Sequence, residues 1–165
     1  MDSGMKCALL AGLPNQTLDL MSTLSTLTSY EAQTVLFHEG EPATVFYIVM
    51  RGAVDVEANG FGSRTVLQNL GRGDVLGWSW LFEPYAWQFD ARAVKPTRAL
   101  RVDGERLRLE CERDQALALE MYKRFSQLIV RCLQACRHQM QDLNGSRQHV
   151  AVAADAVQGL RGAGR

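Results

Sequence analysis

Apolar and polar positions along the chain follow three successive rhythms. Over residues 7–24, Leu18, Met21 and Leu24 recur at helical spacing behind a Pro14-Asn15 start signal, which predicts a short helix. From about residue 28 to 103 the period shortens. The runs TVLF, TVFYIVM, AVDVEA, RTVLQNL, WQFDARAV and TRALRV alternate with the turn segments HEGEP, RG, NGFG and GRGD. Strands so short and so closely spaced leave no room for crossover helices. They predict a mainly β fold, an antiparallel jelly roll rather than a parallel sheet. The helical period then returns: DGERLRLECER predicts a short helix, and residues 114–143 predict one long C-terminal helix. Asp114 is its N-cap and Asn144-Gly145 its stop.

The long helix carries two apolar stripes. Met121, Phe125, Leu128, Cys132 and Ala135 repeat at spacings of four and three, a seam suited to another helix. Tyr122, Ile129, Leu133, Cys136, Met140 and Leu143 form a second stripe beside it. A helix on the surface of a monomer needs one apolar face. Two faces predict that one packs on the barrel and the other on a partner, and the first stripe is assigned to a two-fold homodimer interface. The alternative is a single wide stripe buried under the tail. That tail, residues 144–165, is rich in small residues, and a flexible or weakly helical segment is expected there.

Composition narrows the function. A chain of 165 residues is one domain of ordinary size, and its 18 basic and 18 acidic side chains cancel. That balance argues against broad electrostatic binding to nucleic acid or to an anionic membrane. No run reaches the length of a membrane-spanning helix, and the start MDSGMKCALLAGLPNQ does not read as a secretory signal. A soluble, cytoplasmic protein is expected. Cys7, Cys111, Cys132 and Cys136 lack metal-finger spacing, so they are expected as small hydrophobes in a reducing compartment. Cys132 and Cys136 share a helix face but have no further ligands beside them, since His138 points elsewhere. His38 falls in a turn and His149 in the tail. No carboxylate pair and no nucleophile with a base is present, so neither catalytic residues nor a metal are expected.

The segments LLAGLPNQTLDLM, VLFHEGEPATVFYIVMRGAVDVE and LQNLGRGDVLG carry further information in their order. Gly40 follows a strand, Gly52 sits in YIV-x-x-G-x-V-x-V, and Gly71, Gly73, Asp74 and Gly77 form G-x-G-D-x-x-G. With these marks, residues 8–143 resemble a cyclic-nucleotide-binding domain of the catabolite-activator type. The resemblance implies a double-stranded β-helix with an N-terminal helix and a long C-terminal helix. It also implies a phosphate-binding cassette after Gly77, in which a short helix starting near Trp78 offers its amides to a phosphate. In the family a glutamate then takes the ribose hydroxyl and an arginine takes the cyclic phosphate. Here those positions hold Trp78 and Trp87, with Gln88 next. Losing a charge-assisted arginine–phosphate pair costs on the order of several kcal/mol of affinity.

In the family the long helix closes over the base with two residues, which a gap-free reading places at Cys136 and Arg137. Arg137 could return from the lid the charge the cassette has lost. The candidate ligand-binding set is therefore Gly77, Trp78, Ser79, Trp80, Trp87, Gln88, Cys136 and Arg137. The tryptophans and Tyr85 would either stack on a planar ligand or fill the pocket themselves. In the transcription-factor branch of the family a helix-turn-helix follows, but only about twenty residues follow Leu143, so DNA binding is not expected. The expectation is a stand-alone dimeric sensor for a cyclic nucleotide or similar small effector, signalling through its long helix to a partner protein. The other reading is a ligand-free interaction module.

Overall fold

A computed structural model describes the backbone of residues 7–60 and 63–162 and the side chains of 7–59 and 64–138. Helix α1 (Asn15–Thr23) leads into β1 (Ser25–Tyr30), β2 (Val35–Phe37), β3 (Val45–Arg51), β4 (Val54–Gly60), β5 (Ser63–Leu70), β6 (Val75–Leu76), β7 (Asp90–Ala93) and β8 (Thr97–Asp103). Helices α2 (Gly104–Arg113) and α3 (Gln115–Gly162) follow. The strands form two four-stranded sheets in the orders β1-β8-β3-β6 and β2-β7-β4-β5, antiparallel throughout. This is the jelly roll with flanking helices. The NGFG turn lies partly outside the described residues.

Two cores explain the strand sequences. The five residues Val45–Val49 of β3 are all buried, because the strand is covered on both faces. Val45, Tyr47 and Val49 point between the sheets with Phe37, Val54, Val56, Leu70, Leu76 and Trp87. Phe46 and Ile48 point the other way, into a cluster that joins the sheet to all three helices. The helix starts follow the sequence. The Asp103 carboxylate accepts the Arg106 N–H at 2.9 Å, and Asp114 accepts those of Ala116 and Leu117 at 2.9 and 3.1 Å.

Two expectations for the long helix need correcting. Asn144-Gly145 does not stop α3, which runs through it to Gly162. An interior glycine costs only about 1 kcal/mol relative to alanine, and the alanine-rich segment beyond restores helix propensity. The side chains of Met140, Leu143 and His149, and residues 163–165, lie outside the described parts.

The second correction concerns the faces. Met121 and Phe125 are wholly buried against their own barrel, and Leu128 packs on the same cluster, so this stripe is not free to form a dimer. Cys132 and Ala135, further along it, are half-buried. Among the described residues, the large exposed apolar side chains of α3 are Leu119, Tyr122, Val130 and Leu133, the last 64% exposed. Both stripes are apolar, and the one that matches the aromatic pocket made by Phe46 and Trp80 is the one that goes inward. Arg124 fixes the helix lengthwise. Its guanidinium pairs with Glu120 at 2.6 Å and donates to the Leu9 and Ala11 carbonyls at 2.8 and 2.7 Å, tying the N-terminal turn to α3.

Candidate functional site

The cassette segment begins in a tight, self-bonded turn. The Gly71 N–H donates to the Asp74 carboxylate at 2.8 Å, and the Gly73 N–H donates to the Val49 carbonyl at 2.8 Å. Gly73 and Gly77 both adopt positive φ and bracket β6.

The short helix expected at Trp78 is absent. Two successive turns replace it, closed by Leu81 N–H to Trp78 C=O and Tyr85 N–H to Phe82 C=O, each at 3.0 Å. The segment therefore lacks the helix whose first turn was expected to offer its amides to a phosphate. Side-chain demand accounts for the change. Trp80 and Leu81 are buried inward while Phe82 points to solvent, and Pro84 follows two residues later.

Trp80 is thus no ligand-facing residue. Its ring is fully buried, stacked on Phe46 and edge-on to Phe125 of α3, with both centroids 5.2 Å away. Its Nε1–H finds no acceptor. Gly104 makes room for it, since a Cβ there would lie 2.7 Å from the indole. Arg108 of α2 clamps the same loop. It donates to the Trp80 carbonyl at 2.6 Å, and its guanidinium lies 4.0 Å from the centre of the Tyr85 ring. Sequence reading missed Arg108, because nothing in the cassette pattern points to a side chain from the next helix.

Trp87 stands where the resemblance implies an arginine. It is 5% exposed and stacks on Phe37 with centroids 3.7 Å apart and planes 10° apart. A Cβ on Gly77 would strike the indole at 2.6 Å, so the glycine admits the ring. Behind Phe37 the column continues through Tyr47 to Tyr30, each step 6.2 Å between centroids. Burial pushes the Tyr47 phenol well above its ordinary range, with Tyr30 beside it adding to the shift.

What remains open is a cavity of about 30 Å³, which Gly77, Trp78, Ser79, Trp87 and Gln88 line together with Phe37 and other apolar residues. That space suits about one water molecule. A site for a ligand of nucleotide size needs roughly 300 Å³ or more. No charged side chain lines the cavity. Five of the expected ligand residues therefore meet around one small void, whereas Trp80, Cys136 and Arg137 do not line it. Arg137 is exposed on α3. Arg92, the next arginine along, is drawn away to Glu57 at 3.4 Å and the Gln33 carbonyl at 3.1 Å.

The exit from the cassette is anchored by Asp90. Its carboxylate accepts the Glu39 N–H and the Asn59 amide, both at 2.7 Å, and lies 3.6 Å from His38. Burial alone would raise its pKa. The bonds from Glu39 and Asn59 and the His38 imidazole outweigh burial and hold it below the usual carboxylate value. The four cysteines are free. Burial raises the thiols of Cys7, Cys111 and Cys132, the last two to about 11, Cys111 with help from Asp114 and Glu110 and Cys132 with help from Cys136. Among the described residues no three metal-ligating side chains converge, and no helix is long and apolar enough to cross a membrane.

Residues 27–114 match the family model described as cyclic nucleotide-binding domain. Among solved structures, the chain is similar to a candidate cyclic nucleotide-binding protein from Geobacter metallireducens GS-15. The two share 26% identity at a TM-score of 0.69, over 81% of this chain and 99% of that one. It is also similar to the c-di-GMP responsive global regulator CLP of Xanthomonas campestris, with 19% identity, TM-score 0.68, and coverage of 79% and 65%. The catabolite activator protein of Thermus thermophilus gives 22% identity, TM-score 0.65, and coverage of 83% and 63%. The last two likenesses speak to the fold. No curated protein matches the sequence significantly.

Proposed function

The chain belongs to the cyclic nucleotide-binding domain family, whose members are regulatory, signal-sensing domains rather than catalysts, and from that premise we propose that this one regulates through protein contact, its ligand chamber closed by its own side chains. The observation that carries this reading is the cavity of about 30 Å³ beneath Trp87. An indole stacked on Phe37 occupies the phosphate end of the chamber, and no charge remains to attract a phosphate. A nucleotide would have to displace that indole and then bind without its arginine partner. Output then rests with α3, whose exposed Leu119, Tyr122, Val130 and Leu133 pair with a second copy or with a partner protein. Four free cysteines fit a reducing, cytoplasmic setting.

The test is calorimetry and thermal shift with cyclic mononucleotides and cyclic dinucleotides on the wild type and on Arg137→Ala. No binding up to millimolar concentration is expected. Micromolar binding that Arg137→Ala weakens would overturn the closed-chamber reading in favour of a sensor with a lid. Light scattering tests the pairing. A dimer at tens of micromolar that Leu133→Glu dissociates is expected, and a wild-type monomer sinks self-pairing.

A further inference from the structure

A second opening lies at the Arg51 end of β3, and it has the opposite character to the Trp87 cavity. It is a groove of about 560 Å³ between the end of β1, the β3–β4 turn and the start of β8. Arg51, Lys95 and Arg98 line it, with the Ser29 and Tyr30 hydroxyls and one acid, Glu31. We propose that this groove is a binding site for a small phosphate-bearing anion, held by Arg51, Arg98 and Lys95. The inference is independent of whether the cassette is closed.

Three observations carry it. First, Arg51 and Arg98 are direct register partners in the antiparallel β3–β8 pair. Like charges directly opposite one another are destabilising, so the pairing is costly unless something anionic sits between them. Among the described residues no carboxylate lies within 4 Å of a nitrogen of Arg51, Lys95 or Arg98, and Glu31 is no exception.

Second, the ladder is irregular between Val49 and Arg51. Such bulges re-aim a side chain and are frequent at barrel rims and beside binding sites. Third, the frame of the groove is rigid. Gly52 has φ of +102°, and a Cβ on it would collide with the buried Thr97. The Ala53 N–H donates to Thr97 Oγ1 at 3.2 Å, and that hydroxyl reaches the Lys95 carbonyl at 2.8 Å. The two turns that present Arg51 and Lys95 are thus locked to each other before any ligand arrives, which is the preorganisation a binding site needs. A planar guanidinium offers a phosphate two parallel donors, and two guanidiniums with one ammonium outweigh the Glu31 carboxylate and leave the groove net positive. The volume falls in the range of small-molecule sites.

The test is titration of the full chain with inorganic phosphate and pyrophosphate, followed by calorimetry and by NMR shifts at residues 51, 95 and 98. Wild type, Arg51→Gln, Arg98→Gln, Lys95→Gln and the double arginine variant are compared, with circular dichroism confirming their folding. Saturable binding is expected, weakened about tenfold or more by each arginine loss and abolished in the double variant. Without phosphate, Arg98→Gln should melt no lower than wild type, because it removes a like-charge contact. A lower melting point there, no saturable binding by wild type, or equal binding by the double variant each overturns the site. So does the same effect from chloride at matched ionic strength. Succinate binding as tightly as phosphate overturns the phosphate assignment.

Discussion

The two ends of β3 use one device for opposite purposes. At each end a positive-φ glycine presses against a side chain that fixes the neighbouring turn: Gly77 under Trp87, and Gly52 under Thr97. At the cassette end the partner is a large indole, and what is left is about 30 Å³ without charge. At the other end the partner is a small threonine, and what is left is about 560 Å³ lined by three cations. Between them lies the aromatic column Trp87–Phe37–Tyr47–Tyr30. The backbone that other members of the family share does not decide where a ligand goes. In this chain the size of the side chain packed against each glycine differs, and so does the space left beside it.

The sharpest way to break this comparison is to remove the cassette's buried aromatics. Trp80→Ala empties a site with aromatic rings on two sides and should cost near the top of about 3–5 kcal/mol in urea unfolding. A cost under 1 kcal/mol would mean that the loop is not tied to α3. Trp87→Ala should cost somewhat less, toward about 3 kcal/mol, because it lies beside an existing void. It should also open an apolar cavity that takes indole, seen as a rise in melting temperature with indole that wild type lacks. Gly77→Ala is strained by its φ and by the indole, whereas in the Trp87→Ala background only the φ strain, about 1–3 kcal/mol, should remain. Additive losses would show that Trp87 does not rest on Gly77. Arg108→Ala comes next, at about 2 kcal/mol, since it removes a charged donor from the Trp80 carbonyl and a cation from the Tyr85 face.

The sequence made the barrel legible and much of the loop illegible, for different reasons. Strand alternation and turn glycines are local signals, so β2 to β8 and the tight turns at Gly40 and Gly52 could be read directly, whereas the positive φ of Gly73 and Gly77 could not. The lack of an arginine near the position of Trp87 was also visible, and with it the lack of charge in the cavity. The replacement of a helix by turns at 78–85 was not, because burial there follows no period. Trp80 and Trp87, seven residues apart, enter two different cores on account of Phe46 and Phe37, which lie far back in the chain. The two stripes of α3 were visible, but their assignment was not. Apolar spacing alone does not say which stripe meets the barrel, and the stripe expected at a dimer interface is the one that packs inward. The like-charge pair Arg51–Arg98 was hidden for the same reason, since register across 47 residues leaves no local trace.

The smallest expected effect bears on the difference between the ends through pH. Asp90 follows the plug closely in sequence and faces Glu57 across the β4–β7 ladder, two acids in register. They coexist because each has its own partners: Arg64 and Arg92 hold Glu57 at 3.5 and 3.4 Å, while Glu39, Asn59 and His38 hold Asp90. The folded-state pKa of Asp90 lies below its ordinary value. Its contribution is therefore fully present above the unfolded carboxylate pKa, near 4, and is lost as pH falls through the lower folded value. Asp90→Asn should cost about 1 kcal/mol at neutral pH, and that difference should close as the wild type is acidified. His38 is 58% exposed on its side chain, so His38→Ala should change little. Since Asp90 anchors the exit from the plug, acid should loosen the cassette end first, and Trp87 should become accessible to a fluorescence quencher before the barrel unfolds. The groove end, with Glu31 as the one acid lining it, should hold its NMR shifts over the same range. Simultaneous change at both ends would show that the barrel responds as one unit and that the two openings are not separately built.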